Sequence, residues 1–141
     1  MITQGTRLTG VCAICGGMLV RDIGQFFDRG LLRWGVEAGC ADCGDGRCEQ
    51  GTGPKTPEDI RQALLRAHGA ARLCLVPDGA PQRVRVLLAL REGSDLALAD
   101  ARPAAERLMG GGLVGTYVEM EALASRLRRR GLEAVVRPDV P

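Results

Sequence analysis

Two matching cysteine turns constrain this chain more than any other feature. Cys12-Ala-Ile-Cys15-Gly16-Gly17 and Cys40-Ala-Asp-Cys43-Gly44 are each a Cys-x-x-Cys followed directly by glycine, and 24 residues separate them. Two intervening residues let both sulfurs of a pair reach one ion. The glycine lets backbone amides turn back toward thiolates that need donors. Two such turns supply four soft ligands, the donor set of a closed tetrahedral zinc site. The spacing therefore predicts one structural Zn2+ per chain on Cys12, Cys15, Cys40 and Cys43. A catalytic zinc would want an open position and a histidine or carboxylate ligand. The one histidine, His68, lies far from both turns in sequence, so it reads as a solvated residue in a last helical turn.

Disulfides or a redox pair are the alternatives, and compartment decides between them. The stretch Met1-Ile-Thr-Gln-Gly-Thr-Arg-Leu8 holds no apolar run long enough for a signal-peptide core. No segment approaches the roughly 18 apolar residues of a membrane span. The expectation is a cytoplasmic chain without membrane association, where thiols stay reduced. Cys48, with four residues between it and Cys43, is a substitute fourth ligand or a spare thiol near the site. Cys74, in Arg72-Leu-Cys-Leu-Val76, reads as a buried strand residue, since free cysteine behaves as a small core hydrophobe.

The chain changes texture at Gln50-Gly-Thr-Gly-Pro-Lys-Thr-Pro57, where turn formers crowd. Residues 1–53 hold five of the six cysteines and three of the four aromatics, and read as a small β zinc ribbon. Leu19, Val20, Phe26, Phe27, Leu31, Leu32, Trp34 and Val36 supply its strands. A segment that small barely stabilises itself by apolar burial, so the metal would supply the difference. Residues 1–53 carry five Arg against six acids and residues 54–141 carry fourteen basic residues against eleven. Neither balance is the clustered excess of a nucleic-acid footprint. Arg126, Arg128, Arg129 and Arg130 do cluster, but they close a helix, where cations complement the dipole.

Residues 54–141 read as a compact α/β sandwich domain with a three-helix layer on a small sheet, which makes the whole chain α+β. Thr56-Pro57-Glu58-Asp59 is a helix start, Ile60, Ala63, Leu64 and Ala67 recur at helical spacing, and Gly69 is a stop. Ala71–Val76 alternates as a strand, ending at Pro77-Asp78-Gly79-Ala80-Pro81. Gln82–Arg91 is ambiguous: its start alternates like a strand, whereas Val84, Leu87, Leu88 and Arg91 mark a helical face. Leu98–Met109 has an alanine-rich helical pattern in which Pro103 implies a start only a few residues earlier, or a kink. Thr116-Tyr-Val-Glu119 is a capping box for a helix with Met120, Leu123, Ala124 and Leu127 inward. Gly131 ends that helix, and Leu132–Val136 is a final strand.

Residues 72–136 resemble the C-terminal domain of the bacterial ribosomal stalk protein, through Arg83-Val-Arg-Val-Leu-Leu-Ala-Leu-Arg91 and Leu96-Ala-Leu-Ala-Asp-Ala-Arg102. In that family the first run is a helix, which implies a helix here. The same fold occurs in ClpS-type protease adaptors, and Gly112-Leu-Val-Gly-Thr-Tyr117 is similar to theirs. Both families bind rather than catalyse. The stalk family's partner face maps onto Arg83, Val84, Leu87 and Arg102. Adaptors hold a degron with an Asn-Asp pair and a histidine; this chain has Pro77 and Asp78, and no histidine near Met109. The combination of both segments is loosely similar to small actinobacterial toxin-locus proteins of the immunity type.

No catalytic constellation emerges: there is one histidine, no Gly-x-Ser-x-Gly and no Walker loop. The expectation is a non-enzymatic protein that binds another protein, such as a toxin it neutralises. A nucleic-acid or transcription-associated ribbon is the alternative, with Phe26, Phe27, Arg29, Arg33 and Trp34 as stacking and phosphate-contacting residues. A further alternative is an adaptor recruiting a translation factor or protease. Two candidate contact surfaces stand open: Asp42, Asp45 and Glu49 beside the second cysteine turn, and Arg83, Val84, Leu87 and Arg102.

Overall fold

The computed structural model describes residues 1–76, 82–92 and 96–140. They are α+β and divide into two compact units, Met1–His68 and Gly69–Pro141. Pro77 and Asp78 lie outside the described residues. Among the described residues no helix is long and apolar enough to cross a membrane.

The first unit is an antiparallel meander of β1 (Ile2–Val11), β2 (Met18–Asp28), β3 (Leu31–Cys40) and β4 (Gly46–Thr52), paired in that order, followed by α1 (Glu58–His68). A two-residue turn, Arg29-Gly30, joins β2 to β3 at one end of the sheet. The β1–β2 and β3–β4 connections share the other end, and those connections carry the cysteine turns. A meander thus brings two sequence-distant turns side by side without further instruction.

Register decides what each face of this sheet does, because paired residues share a face and neighbours alternate. Gln25 pairs with Trp34, and Ile23 with Val36. These point to the face on which α1 lies, where Ile60, Ala63 and Leu64 pack with Ile23 and Val36, and Leu8 and Trp34 flank them. Gln25 is fully buried, and its Nε2 donates to the Thr56 hydroxyl at 2.8 Å, tying the sheet to the approach to α1. At the other end of α1, His68 Nε2 lies 2.7 Å from the Gly5 carbonyl and must carry the proton it donates. His68 is exposed in the last turn of α1, as its position suggested, and also ties the helix to β1.

The helix α1 thus belongs with the four-stranded sheet, whereas its sequence places it beyond the Gly51–Lys55 turn with the second segment. Its apolar stripe shows which face it buries but not which sheet receives it.

The second unit runs β5 (Ala71–Leu75), α2 (Arg83–Arg91), α3 (Leu98–Met109), β6 (Leu113–Gly115), α4 (Tyr117–Arg129) and β7 (Ala134–Pro138). Its sheet is β6-β5-β7, antiparallel throughout. The core draws Leu73 from β5, Val86, Ala89 and Leu90 from α2, Ala105 and Leu108 from α3, and Leu123, Ala124 and Leu127 from α4. The ambiguous stretch before Glu92 is a helix. The capping box forms: the Glu119 amide donates to Thr116 Oγ1 at 3.1 Å, and the Thr116 amide to Glu119 Oε1 at 3.0 Å.

At the far end of α4, the Leu132 amide bonds the Leu127 carbonyl and the Gly131 amide that of Arg128. This is the Schellman closure. Leu132 is consequently a buried plug after the helix, and the last strand begins at Ala134. Pro103 lies inside α3, where it forgoes one helical bond without ending the helix. Cys74 is half-buried on β5, its Sγ 3.8 Å from the Gly111 carbonyl, because Leu73 takes the core-facing position. The arginines at the end of α4 and its C-cap are structural ties: Arg126 donates to the Glu92 carbonyl, Arg128 to that of Ala134, and Arg129 and the capping Arg130 pair with Glu92.

Candidate metal centre

Cys12 and Cys15 leave β1, and Cys40 and Cys43 leave β3, at the same end of the sheet. The two turns are built alike. In the first, the Gly16 amide bonds the Cys12 carbonyl at 2.9 Å and the Cys12 amide the Gly17 carbonyl at 2.8 Å. In the second, Gly44 bonds Cys40 at 3.0 Å and Cys40 bonds Asp45 at 2.8 Å. Gly16 and Gly44 both sit at φ 75°, a left-handed conformation that explains the glycine after each pair.

The four sulfurs lie within 4.8 Å of one another. Between the turns, Cys12 lies 3.8 Å from Cys43 and Cys15 lies 3.4 Å from Cys40. A tetrahedral zinc with Zn–S bonds near 2.3 Å holds its sulfurs about 3.8 Å apart. All six cysteines are free, so these contacts are not disulfides. Cys12 and Cys40 are buried, and Cys15 and Cys43 exposed. The donor set fits a structural zinc ion. Cys48 is outside this group of four: it pairs with Glu37 in β4 and is exposed.

The thiols are unequal. Amides of Cys43 and Asp42 aimed at Cys40 bring its thiol down to about 7. The Asp45 amide draws Cys43 down, but partial desolvation and the neighbouring thiols outweigh it and push Cys43 up to about 12. Four thiols facing one another cannot all ionise without a cation between them. A bound divalent ion reverses that logic and deprotonates its ligands.

One residue ties the two turns together. The Asp42 carboxylate, from inside the second turn, accepts the Met18 amide at 3.0 Å as the chain leaves the first. It also fills the space beside Gly17, where a Cβ would stand 2.1 Å from Asp42 Oδ2. Outer hydrogen bonds that orient ligands commonly matter 10–100-fold in metal affinity. Asp42→Ala is expected to weaken zinc retention roughly tenfold in chelator competition, with Asp42→Asn intermediate. Unchanged retention would reduce Asp42 to a surface charge.

The other proposed contact residues fall in separate units. Asp45 is half-buried next to the second turn, and Glu49 is exposed on β4. Arg83 and Val84 on α2 and Arg102 on α3 are exposed, while Leu87 is half-buried against the core. Arg83 is ion-paired with Glu106, which reduces its freedom as a contact. The aromatic set divides by register. Phe26 pairs with Arg33 on the face away from α1, its ring lying over Gly24, whereas Trp34 points to the α1 face and lies against Gly51. Phe27 pairs with Leu32, and Arg29 lies in the turn at the opposite end from the cysteines. These residues do not make one stacking platform.

Sequence reading missed the Asp42 tie and the exposure of Val11, Ile14 and Met18 around the first turn (76, 65 and 53%). Three apolar residues flanking one metal turn were the available signal.

The fold and site define an α+β protein whose N-terminal sheet carries a four-cysteine cluster compatible with structural zinc. No family model matches the chain, and comparison with curated proteins and with solved structures gave no significant match. The likeness of residues 72–136 to the stalk and adaptor domains therefore rests on the quoted sequence runs alone.

Proposed function

We propose that this protein is a non-catalytic protein-binding module whose N-terminal unit is held by one structural zinc ion. The observation that carries this reading is the closed donor set. All four candidate ligands are cysteines, supplied by two equivalent turns, and this chemistry builds scaffolds rather than reactive metal centres. The resemblance to toxin-locus proteins makes a toxin, bound stoichiometrically and neutralised, the leading partner class. The split of Phe26 and Trp34 between opposite faces ranks nucleic acid below protein.

Two measurements test it. Metal analysis of protein purified without added metal is expected to give one zinc per chain; folded, metal-free protein with disulfide-bonded Cys12, Cys15, Cys40 and Cys43 would refute the zinc assignment. Affinity capture from the native host, followed by reconstitution from purified components, is expected to give a fixed-ratio protein complex. Capture of nucleic acid without protein would overturn the binding class.

A further inference from the structure

We propose that the α1-facing side of the first sheet, at its cysteine-turn end, is a docking pocket for an apolar side chain flanked by basic residues on a protein partner. This rests on the protein-binding reading above and names where and what the module binds.

The pocket exists because α1 lies mainly over β1 and β2, reaching β3 at Val36 and Trp34. Toward β3 and β4, at the cysteine end, a cavity of about 260 Å3 remains. Leu19, Val36 and Ala38 form its floor, and Asp45, Arg47 and Glu49 its outer rim. Register explains this division. Ala38 pairs with Arg21 and Arg47, and Val36 with Ile23 and Glu49, so one sheet face presents small apolar side chains at its centre and charged ones toward β4. Ile14, 65% exposed at the tip of the first turn, also lines the cavity.

Size and charge select the occupant. Small-molecule sites commonly run to roughly 300–1,000 Å3, so this cavity is too small for a cofactor and suits one anchoring side chain. Interfaces concentrate their energy on such anchors in pockets. Arg21, also on the lining, is paired with Asp59 at 3.7 Å. Asp45, Arg47 and Glu49 make no ion pair with another described residue. With Arg21 engaged by Asp59, the two carboxylates of Asp45 and Glu49 stand against the one guanidinium of Arg47 on the lining. A zinc ion on four thiolates adds negative charge at the same end. The field therefore favours a basic partner segment, and the apolar floor favours an aliphatic anchor.

The test uses the zinc-loaded full chain and short synthetic peptides, each carrying one leucine flanked by lysines. Controls replace the leucine by serine or the lysines by glutamates. At physiological ionic strength the leucine–lysine peptide is expected to shift backbone amide resonances of Leu19, Ala38 and Arg47. Either control should bind at least about tenfold more weakly. Ala38→Leu, which fills the cavity, and Glu49→Lys, which reverses its rim, should each weaken binding at least as much while zinc content stays the same. The proposal is overturned if the controls bind equally, if the shifts map to α2, or if the variants bind like the parent. Concentration-dependent self-association abolished by Ala38→Leu would also overturn it, by assigning the pocket to a second copy. A native partner captured equally by the parent and both variants would leave the protein-binding reading standing and remove this pocket from it.

Discussion

Cys12→Ser or Cys40→Ser is expected to unfold residues 1–68, with α1 included, and to leave the second unit folded. The apolar core of the first unit is small, centred on Ile23, Val36, Ile60, Ala63 and Leu64. Whole domains are stable by only about 5–15 kcal/mol, and structural zinc contributes about 10–16 kcal/mol in small zinc peptides. Losing one thiolate weakens a contribution as large as the net stability of a whole domain, in a unit whose core is small. Trp34, the chain's one tryptophan, should become solvent-exposed by its emission. Helical signal should fall by the share of α1 and retain that of α2, α3 and α4. Acidification should reproduce the loss in the parent, because protons compete with zinc for all four thiolates and affinity drops as pH falls. Restoring pH with zinc present should restore the emission. A variant that keeps the parent's half-buried Trp34 emission would contradict the metal's role. One that loses every helix at once would contradict the independence of the two units.

That α1 is grouped with the lost structure marks where sequence stops being informative. The cysteine cluster was legible because spacing, glycine placement and ligand chemistry are all local. The capping box at Thr116 and Glu119 was legible for the same reason, as was the Gly131 stop. What depends on pairing was not. Most of β1 and β4 is polar, and their residues become strands by hydrogen-bonding to β2 and β3, which carry the apolar alternation. The three-residue β6 has no pattern of its own and exists because β5 offers it a partner. The faces of Phe26 and Trp34 follow from register, since a one-residue shift would exchange them. Asp42 belongs to the same class: its carboxylate matters through Met18, 24 positions away.

The largest effect in the second unit should come from Leu127→Ala. Leu127 is fully buried on α4 within the cluster formed with Leu73, Val86 and Leu108. Its carbonyl accepts the Leu132 amide that closes the helix, and the substitution leaves that bond in place. The cost is therefore one of packing, about 2–5 kcal/mol for a leucine cavity that the surroundings only partly refill. In a unit this short the same cost should lower the melting midpoint by on the order of 10 °C or more. Leu127→Met, which conserves volume, should cost less than about 1.5 kcal/mol. Far-UV circular dichroism of the three remaining helices reads this transition, while Trp34 emission reads the other unit. Zinc content should stay at the parent value and the Trp34 midpoint should not move. A Trp34 midpoint that falls together with the helical one would show that the two units unfold as a single cooperative body.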